Sequence, residues 1–161
     1  MHLSILETRE YLWSDEAACE AFAQRLSRQP ALFNACIELH GGLGAGKTTL
    51  VRHLLRALGV SGRIKSPSYA VLESYELPQG IASHFDFYRF SDPREWEDAG
   101  FREIFTSPGL KLCEWPEKAQ GMLPEPELSI FIEAVEDDAR RVRIEAHTVA
   151  GQALLQGLDA A

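Results

Sequence analysis

Cysteine is scarce in this chain of 161 residues, which carries only three. Cys19, Cys36 and Cys113 lie far apart and form no C-x-x-C pair. Their number and spacing support neither a disulfide framework nor a zinc site, so we predict three reduced side chains with an apolar role. A chain of this length can bury an adequate core without cross-links, and we treat residues 1–161 as one domain.

Positive charge is also in deficit, with 16 Lys and Arg against 24 Asp and Glu and a formal net charge of −8. Binding to a nucleic-acid backbone needs clustered Lys and Arg, so a nucleic-acid partner would need help from another protein. The chain shows no basic, apolar leader and no run of about 18 apolar residues. We therefore expect a cytoplasmic protein with no membrane contact.

Apolar residues recur with the period of a strand in some segments and of a helix in others, which predicts an α/β fold. Strands are expected over residues 3–8, 35–39, 69–75, 81–88, 110–113, 128–133 and 140–146. Helices are expected from Ser14 to Pro30, over 50–58, from Asp92 onward and over 150–158. Turns at 78–80 and 136–139 predict two hairpins.

The segment GGLGAGKT, from Gly41 to Thr48, satisfies the P-loop pattern G-x-x-x-x-G-K-[ST]. Glycines let backbone N–H groups approach phosphates, Lys47 would bridge the β- and γ-phosphates, and the Thr48 hydroxyl would bind Mg²⁺. Thr49 is expected to cap or pack. The candidate nucleotide-binding residues of this loop are Gly41, Gly42, Leu43, Gly44, Ala45, Gly46, Lys47, Thr48 and Thr49.

The position of this loop between a predicted strand and a predicted helix indicates the architecture. We predict a P-loop NTPase-like three-layer α/β fold with a mixed, mainly parallel central sheet and an antiparallel C-terminal hairpin. The expected ligand is a nucleoside triphosphate with Mg²⁺. The loop alone does not choose among a kinase, a hydrolase and a switch.

Two acidic residues lie within aromatic or apolar segments, where an unpaired charge would be costly. Asp86 lies in the aromatic run HFDFYR, and Glu114 ends the apolar strand over residues 110–113. If that strand runs parallel to the one before the P-loop, Glu114 lies at the same sheet edge as the loop. We interpret both acids as groups that hold Mg²⁺ and position the attacking water or acceptor. The alternatives are a salt bridge from Asp86 to Arg89 or Lys65, and Glu114 as a helix cap.

Three further features are candidates for contact with a nucleotide. Ser66-Pro67-Ser68 follows the P-loop helix, where NTPases place a segment that senses the γ-phosphate, although an ordinary proline turn fits equally. Trp115 either stacks on a ligand or belongs to the core. The segment from Trp13 to Glu16 is a candidate cover for the base.

Together these residues resemble the bacterial TsaE family, the P-loop ATPases of tRNA threonylcarbamoyladenosine biosynthesis. The resemblance rests on GGLGAGKTT at 41–49, KSPSY at 65–69, HFDFYR at 84–89, Asp92-Pro93 before a helix, EWP at 114–116 and GMLP at 121–124. It spans about residues 14–146, and the HxDxYR and EWP segments are far more specific than the P-loop.

The resemblance implies a protein that binds ATP with Mg²⁺, hydrolyses it slowly and associates with the TsaB and TsaD proteins. TsaD would transfer the threonylcarbamoyl group to N6 of adenosine 37 in tRNAs that read ANN codons, so this chain would meet tRNA only through the complex. The implied catalytic residues are Lys47, Asp86 and Glu114. The implied metal ligands are Thr48, Asp86 and Glu114.

The resemblance also assigns three residues around the nucleotide and leaves one question. Trp115 would line the site, Ser68 would belong to a switch-like loop, and Arg140 would reach the nucleotide unless it is a solvated hairpin charge. The family usually reads GDLGAGKT and SPT, so Gly42 replaces an acid and Ser68 replaces a threonine. Serine keeps a hydroxyl, so binding should survive. The missing acid leaves its part in hydrolysis or docking open.

Two other functional classes fit the P-loop by itself. A small P-loop kinase agrees in size, but such kinases carry an arginine-rich lid late in the chain. Strand alternation places Arg141 and Arg143 on one face and Arg140 on the other, which makes a poor lid. A nucleotide sensor without catalysis is disfavoured by Asp86 and Glu114.

Overall fold

The computed structural model describes residues 3–64, 67, 71–98 and 100–159. Its strands are β1 (Glu7–Trp13), β2 (Cys36–His40), β3 (Leu72–Leu77), β4 (Gly80–Asp86), β5 (Leu110–Glu114), β6 (Leu128–Ala134) and β7 (Arg140–Ala146). Its helices are α1 (Glu16–Ser27), α2 (Lys47–Ala57), α3 (Pro93–Asp98), α4 (Phe101–Thr106) and α5 (Val149–Asp159). The strands form a seven-stranded sheet in the order β1-β7-β6-β2-β5-β4-β3.

The sheet is mixed, as predicted. The four neighbouring strands β6, β2, β5 and β4 run parallel, and this block contains the strand before the P-loop and the strand that ends in Glu114. Strand β7 pairs antiparallel with both β6 and β1, and β3 pairs antiparallel with β4. The C-terminal hairpin of β6 and β7 is therefore confirmed, and the antiparallel pairings lie at the two sides of the parallel block.

Alternation along the strands gives the sheet two apolar faces. On one face, Ile37 of β2 and Leu112 of β5 belong to the same buried cluster as Phe22 of α1, Leu54 of α2 and Leu155 of α5. A second cluster covers the other face of the parallel block. It contains Cys36, Phe85, Phe87, Phe90, Trp96, Phe101, Cys113 and Ala119. Helices on two sides of one sheet make the predicted three layers.

Two sequence-based predictions need correction. The first strand was expected over residues 3–8, but β1 runs from Glu7 to Trp13, because it is an edge strand whose position is set by pairing with β7 from Ala146 back to Arg140. Its polar residues hide that pairing from a search for apolar alternation. Helix α4 was not expected at all, since its six residues are too few to show a helical period.

The described residues also show how α1 begins, how β3 joins β4 and the state of the cysteines. Asp15 caps α1 by accepting a hydrogen bond from the backbone N–H of Ala18 at 3.0 Å. The hairpin at 78–80 joins β3 to β4, with Leu77 opposite Gly80. The three cysteines are free and buried. No helix among the described residues is both long and apolar enough to cross a membrane.

The parallel block brings the sequence-predicted site to one sheet edge. Strand β2 ends just before the glycine loop, and β5 ends at Glu114, with Leu39 opposite Glu114 in the register. On the other side of β5, Asp86 at the end of β4 lies opposite Glu114. The condition placed on Glu114, that its strand be parallel to the strand before the loop, is therefore met.

Candidate functional site

The glycine loop between β2 and α2 has a backbone that few other residues could adopt. Gly44 and Gly46 have φ angles of 76° and 114°, in the left-handed region that disfavours side chains. At Gly41 a Cβ atom would lie 2.5 Å from the carbonyl oxygen of Ile132, so the loop also packs too closely on β6 for a side chain. Helix α2 begins directly afterwards at Lys47, which points its first N–H groups at the loop.

Lys47 is folded back over its own loop. Its Nζ donates a hydrogen bond to the carbonyl oxygen of Gly41 at 2.6 Å and lies 3.6 Å from the centre of the Trp115 ring. Burial lowers the pKa of Lys47, and the negative charge of Glu114 opposes that shift. The side chain is 5% exposed, so its cation already sits inside the site.

Glu114 is the centre of a buried hydrogen-bonded group. The Thr48 hydroxyl, which lies 2.9 Å from Oε1 and 3.1 Å from Oε2 of Glu114, donates to this carboxylate. Nε2 of His84 lies 2.6 Å from Oε2. The Glu114 and His84 side chains are 3% and 1% exposed. A carboxylate so deeply buried needs such partners, and here one of them comes from the P-loop helix.

Asp86 lies beside this group, one strand further along the sheet. Its Oδ1 accepts a hydrogen bond from the backbone N–H of Tyr88 at 3.0 Å. Burial raises the pKa of Asp86 despite that hydrogen bond, and the charge of Glu114 raises it further. Of the two alternative salt-bridge partners for Asp86, Arg89 lines the same cleft, and Lys65 lies outside the described residues.

Trp115 is held in an unusual backbone conformation. Its φ angle is 55°, in a region that costs free energy for a bulky side chain, and it begins the short 3-10 turn Pro116–Ala119. The Tyr88 ring lies 4.9 Å from the Trp115 ring, centre to centre, and Lys47 covers the indole. Trp115 is partly buried against the second apolar cluster and also lines the cleft, so it has both of the positions that the sequence left open.

Arg140 donates a hydrogen bond to the glycine loop, whereas its basic neighbours contact residues of β6. Its Nε donates to the carbonyl oxygen of Ala45 at 2.7 Å. Arg141 pairs with Glu133 at 3.7 Å, and the guanidinium of Arg143 lies 4.3 Å above the ring of Phe131. These two contacts lie on the other face of the sheet, so the late arginines do not form the lid that a small kinase would need.

The loop, the acids and Trp115 surround one cleft of about 370 Å³. Its lining residues are Leu43, Gly44, Ala45, Gly46, Lys47, Thr48, Thr49, Asp86, Tyr88, Arg89, Glu114, Trp115 and Arg140. Gly41 and Gly42 instead line a neighbouring groove on the open face of β6 and β7. The prediction for Ser68 falls outside the described residues.

A second cleft of about 390 Å³ adjoins the first through Ala45, Gly46, Thr49 and Arg140. Beyond these shared residues, it is lined by Trp13, Asp15, Glu16, Cys19 and Asp138. The segment from Trp13 to Glu16 was a candidate cover for the base. It lines this cleft together with Ala45 and Gly46 of the glycine loop. Asp138 was not expected there, because its position depends on the turn between β6 and β7.

Sequence reasoning also missed His84. It begins the HxDxYR segment on which the family resemblance rests, but the sequence predicts no role for it in the site. The available signal was its place two residues before Asp86, since residues two apart on a strand share a face. Its contact with Glu114 depends on the pairing of β4 with β5, which a single sequence does not reveal.

The oxygen atoms in this cleft fit Mg²⁺ bound together with a nucleotide. The described residues contain no group of three or more His, Cys, Asp and Glu side chains that could hold a metal ion by themselves. Mg²⁺ in phosphate-transfer sites commonly takes one or two protein oxygens and completes its shell with phosphates and water. The Thr48 hydroxyl and the Glu114 and Asp86 carboxylates supply oxygens of this kind at one edge of the sheet.

Several known proteins are similar to this chain. A family model described as threonylcarbamoyl adenosine biosynthesis protein TsaE matches residues 13–142. A Haemophilus influenzae protein named tRNA threonylcarbamoyladenosine biosynthesis protein TsaE is 42% identical over 76% of this chain and 77% of its own length. A Rickettsia bellii protein of the same name is 31% identical over 88% of this chain and 97% of its own length. A crystal structure of Bacillus subtilis YdiB has a similar fold, with a TM-score of 0.78, 24% identity and 96% coverage of both chains.

Proposed function

The chain belongs to the TsaE family of threonylcarbamoyl adenosine biosynthesis proteins, and we propose that it serves that biosynthesis as a slow ATPase that uses Mg²⁺. The observation that carries this proposal is the hydrogen bond from the Thr48 hydroxyl to the Glu114 carboxylate. It joins the phosphate loop to an acid at the end of a neighbouring parallel strand. A loop that only bound phosphate would not need a buried carboxylate at this position.

The residues divide the work of hydrolysis between them. The loop N–H groups and Lys47 hold the phosphates, and the Thr48 hydroxyl and the Glu114 carboxylate hold or orient Mg²⁺. Mg²⁺ held by these residues would supply positive charge that offsets the negative charge developing on the phosphoryl oxygens. Asp86 supports the metal shell and orients the water whose oxygen attacks the γ-phosphorus. The bond from that phosphorus to the bridging oxygen breaks, which gives ADP and inorganic phosphate.

The remaining contacts position the rest of the nucleotide. Trp115 and Arg140 flank the phosphates from two sides of the glycine loop, and Ser68 belongs to the segment that responds to the γ-phosphate. The second cleft, which begins at Arg140 and is bounded by Trp13 and Asp15, takes the nucleoside. These assignments rest on the adjacency of the two clefts and on the family resemblance.

The partners of the cycle are the TsaB and TsaD proteins. TsaD transfers the threonylcarbamoyl group to N6 of adenosine 37 in tRNAs that read ANN codons, and ATP hydrolysis by this chain supports turnover of the complex. The chain meets tRNA only through these proteins, which agrees with its net charge of −8. The proposal assigns no transfer chemistry to the chain itself.

Phosphate release from ATP tests the proposal, measured first for the chain alone and then with TsaB, TsaD and tRNA added. We expect slow release by the chain alone and faster release in the complete mixture. A Glu114→Ala protein provides the control, because it should retain nucleotide binding and lose hydrolysis. Transfer of the γ-phosphoryl group to a small-molecule acceptor, with little release to water, would instead identify a kinase.

A further inference from the structure

Among the hydrogen bonds of the described residues, His84 reaches the proposed site through the Glu114 carboxylate. Its Nε2 lies 2.6 Å from Oε2 of Glu114, and its ring is almost wholly buried. Within the part of the chain that the structure describes, its other ring nitrogen, Nδ1, has no hydrogen-bond partner. A buried nitrogen without a partner costs free energy, so the imidazole is a poor choice for packing alone. We therefore expect its contact with Glu114 to serve a function besides packing.

The two oxygens of Glu114 are placed differently. Oε2 lies 2.6 Å from Nε2 of His84 and 3.1 Å from the Thr48 hydroxyl, whereas Oε1 lies 2.9 Å from the Thr48 hydroxyl and takes no part in the contact with His84. Thr48 is itself a proposed ligand of Mg²⁺, so its hydroxyl must adjust when the cation enters. His84 approaches from β4, behind the carboxylate, and lines neither cleft. It is therefore the contact on Glu114 that does not have to change.

We propose that His84 is a positioning residue for the metal site: it holds Oε2 of Glu114 and thereby directs Oε1 toward Thr48 and the incoming cation. This inference rests on the proposed Mg²⁺-nucleotide function and adds the group that orients its carboxylate. Hydrogen-bond partners behind a ligand fix the ligand's direction, and their loss typically weakens metal binding by about 10- to 100-fold. In this proposal His84 acts through its hydrogen bond to Glu114 and touches neither nucleotide nor metal.

A matched pair of variants tests the proposal. The amide nitrogen of His84→Gln can occupy the place of Nε2, whereas the shorter His84→Asn cannot reach Glu114. Binding of Mn²⁺ in the presence of ADP is followed by the electron paramagnetic resonance of free Mn²⁺. We expect His84→Asn to weaken Mn²⁺ binding by about tenfold and His84→Gln to bind Mn²⁺ nearly as the parent does. ADP binding in EDTA, measured by calorimetry, should be the same in all three proteins.

A second arm asks whether His84 works through Glu114. In a Glu114→Gln background, adding His84→Asn should weaken Mn²⁺ binding no further, because the oriented carboxylate is already gone. A further tenfold loss in the double variant would overturn the proposal. If His84→Asn does not fold, the apolar His84→Leu takes its place in both arms.

The outcomes separate this inference from the function on which it rests. Parent-like Mn²⁺ binding by His84→Asn would overturn the positioning role and leave the ATPase proposal intact. Loss of ADP binding in EDTA would also overturn it, since a general packing defect would then explain the result. A parent protein that binds no Mn²⁺ with ADP would overturn both proposals together.

Discussion

The floor and the rim of the phosphate cleft are built in opposite ways. The floor is formed by Lys47, Thr48, Asp86 and Glu114, of which Lys47 and Glu114 are almost fully buried and hydrogen-bonded to other protein groups. On the rim, Leu43 is 73% exposed, and a Cβ atom on Gly42 would meet nothing within 4 Å. The floor is thus held in place by packing and hydrogen bonds, while the rim is exposed.

The resemblance to the TsaE pattern implies an acid where this chain has Gly42. Gly42 lies on the rim and lines the groove on the open sheet face rather than the phosphate cleft. The buried floor keeps the lysine, the threonine and both acids. A change on the rim can alter contacts with another molecule while it leaves the arrangement around the phosphates intact.

Among these substitutions, we expect the largest effect from a change at Glu114, on the floor. Glu114→Gln keeps the shape of the side chain but removes the charge that faces Thr48 and the metal. We expect phosphate release from ATP to fall by about 100-fold, with ADP binding in EDTA retained. Release at the parent rate would show that the buried carboxylate has no part in hydrolysis.

Lys47 should give the next largest effect, in binding rather than in rate alone. Lys47→Met keeps most of the apolar stem over Trp115 but removes the cation. Loss of a charge-assisted hydrogen bond to the phosphates should weaken ATP binding by about tenfold or more, as calorimetry would show. An unchanged affinity would place the phosphates outside the reach of Lys47.

Burial of the Asp86 carboxyl should lower the free energy of unfolding at neutral pH. Burial raises the pKa of the Asp86 carboxyl above its ordinary value of 3.8, so the folded chain holds more protons than the unfolded chain between these two values. The free energy of unfolding therefore falls as the pH rises through that window, and the loss is complete above the raised pKa. In EDTA at pH 7, Asp86→Asn should melt about 2 °C above the parent.

Two conditions should remove that advantage of Asp86→Asn. Below the ordinary pKa both proteins carry a neutral group, so their melting temperatures should converge. With Mg²⁺ and ADP present, the parent should gain more stability than the variant, because it retains the carboxylate for the metal shell. Thermal unfolding followed by circular dichroism measures both, and equal melting temperatures at every pH would contradict the account of Asp86.

The rim should give the smallest effect. Gly42→Asp restores the kind of acid usual in the family at a position with open space, so ADP affinity and the melting temperature should stay close to those of the parent. Gly46→Ala is the matched control, since its φ of 114° is strained for alanine, and it should lower the melting temperature by about 2–4 °C. A large loss of ADP affinity in Gly42→Asp would contradict the claim that a change on the rim leaves nucleotide binding unaffected.

The sequence predicted the members of the floor better than their arrangement. Lys47 and Thr48 follow from a contiguous motif, and Glu114 follows from the rule that parallel strands present their carboxyl ends together. The pairing of Asp86 opposite Glu114 depends on strand order and register, which local patterns do not encode. His84 was missed for that reason, because its partner lies 30 residues away in sequence and one strand away in space.

The edges of the sheet were harder to predict than its centre. Strands β2 and β5 are almost wholly buried and are mostly apolar, whereas β1 alternates between exposed and half-buried positions and carries three charged residues in its first half. Its true bounds come from pairing with β7, not from its own pattern. The position of Arg140 at the glycine loop likewise follows from where that pairing ends.

The central claim, that the buried floor is a Mg²⁺-nucleotide site, is tested most directly by a crystal structure with ADP and Mn²⁺ at the manganese absorption edge. The account predicts one anomalous peak beside the Thr48 hydroxyl and the Oε1 atom of Glu114, with the diphosphate lying on the loop from Gly44 to Thr48. A manganese ion bound away from Thr48 and Glu114, or ADP bound with its phosphates outside this loop, would contradict it.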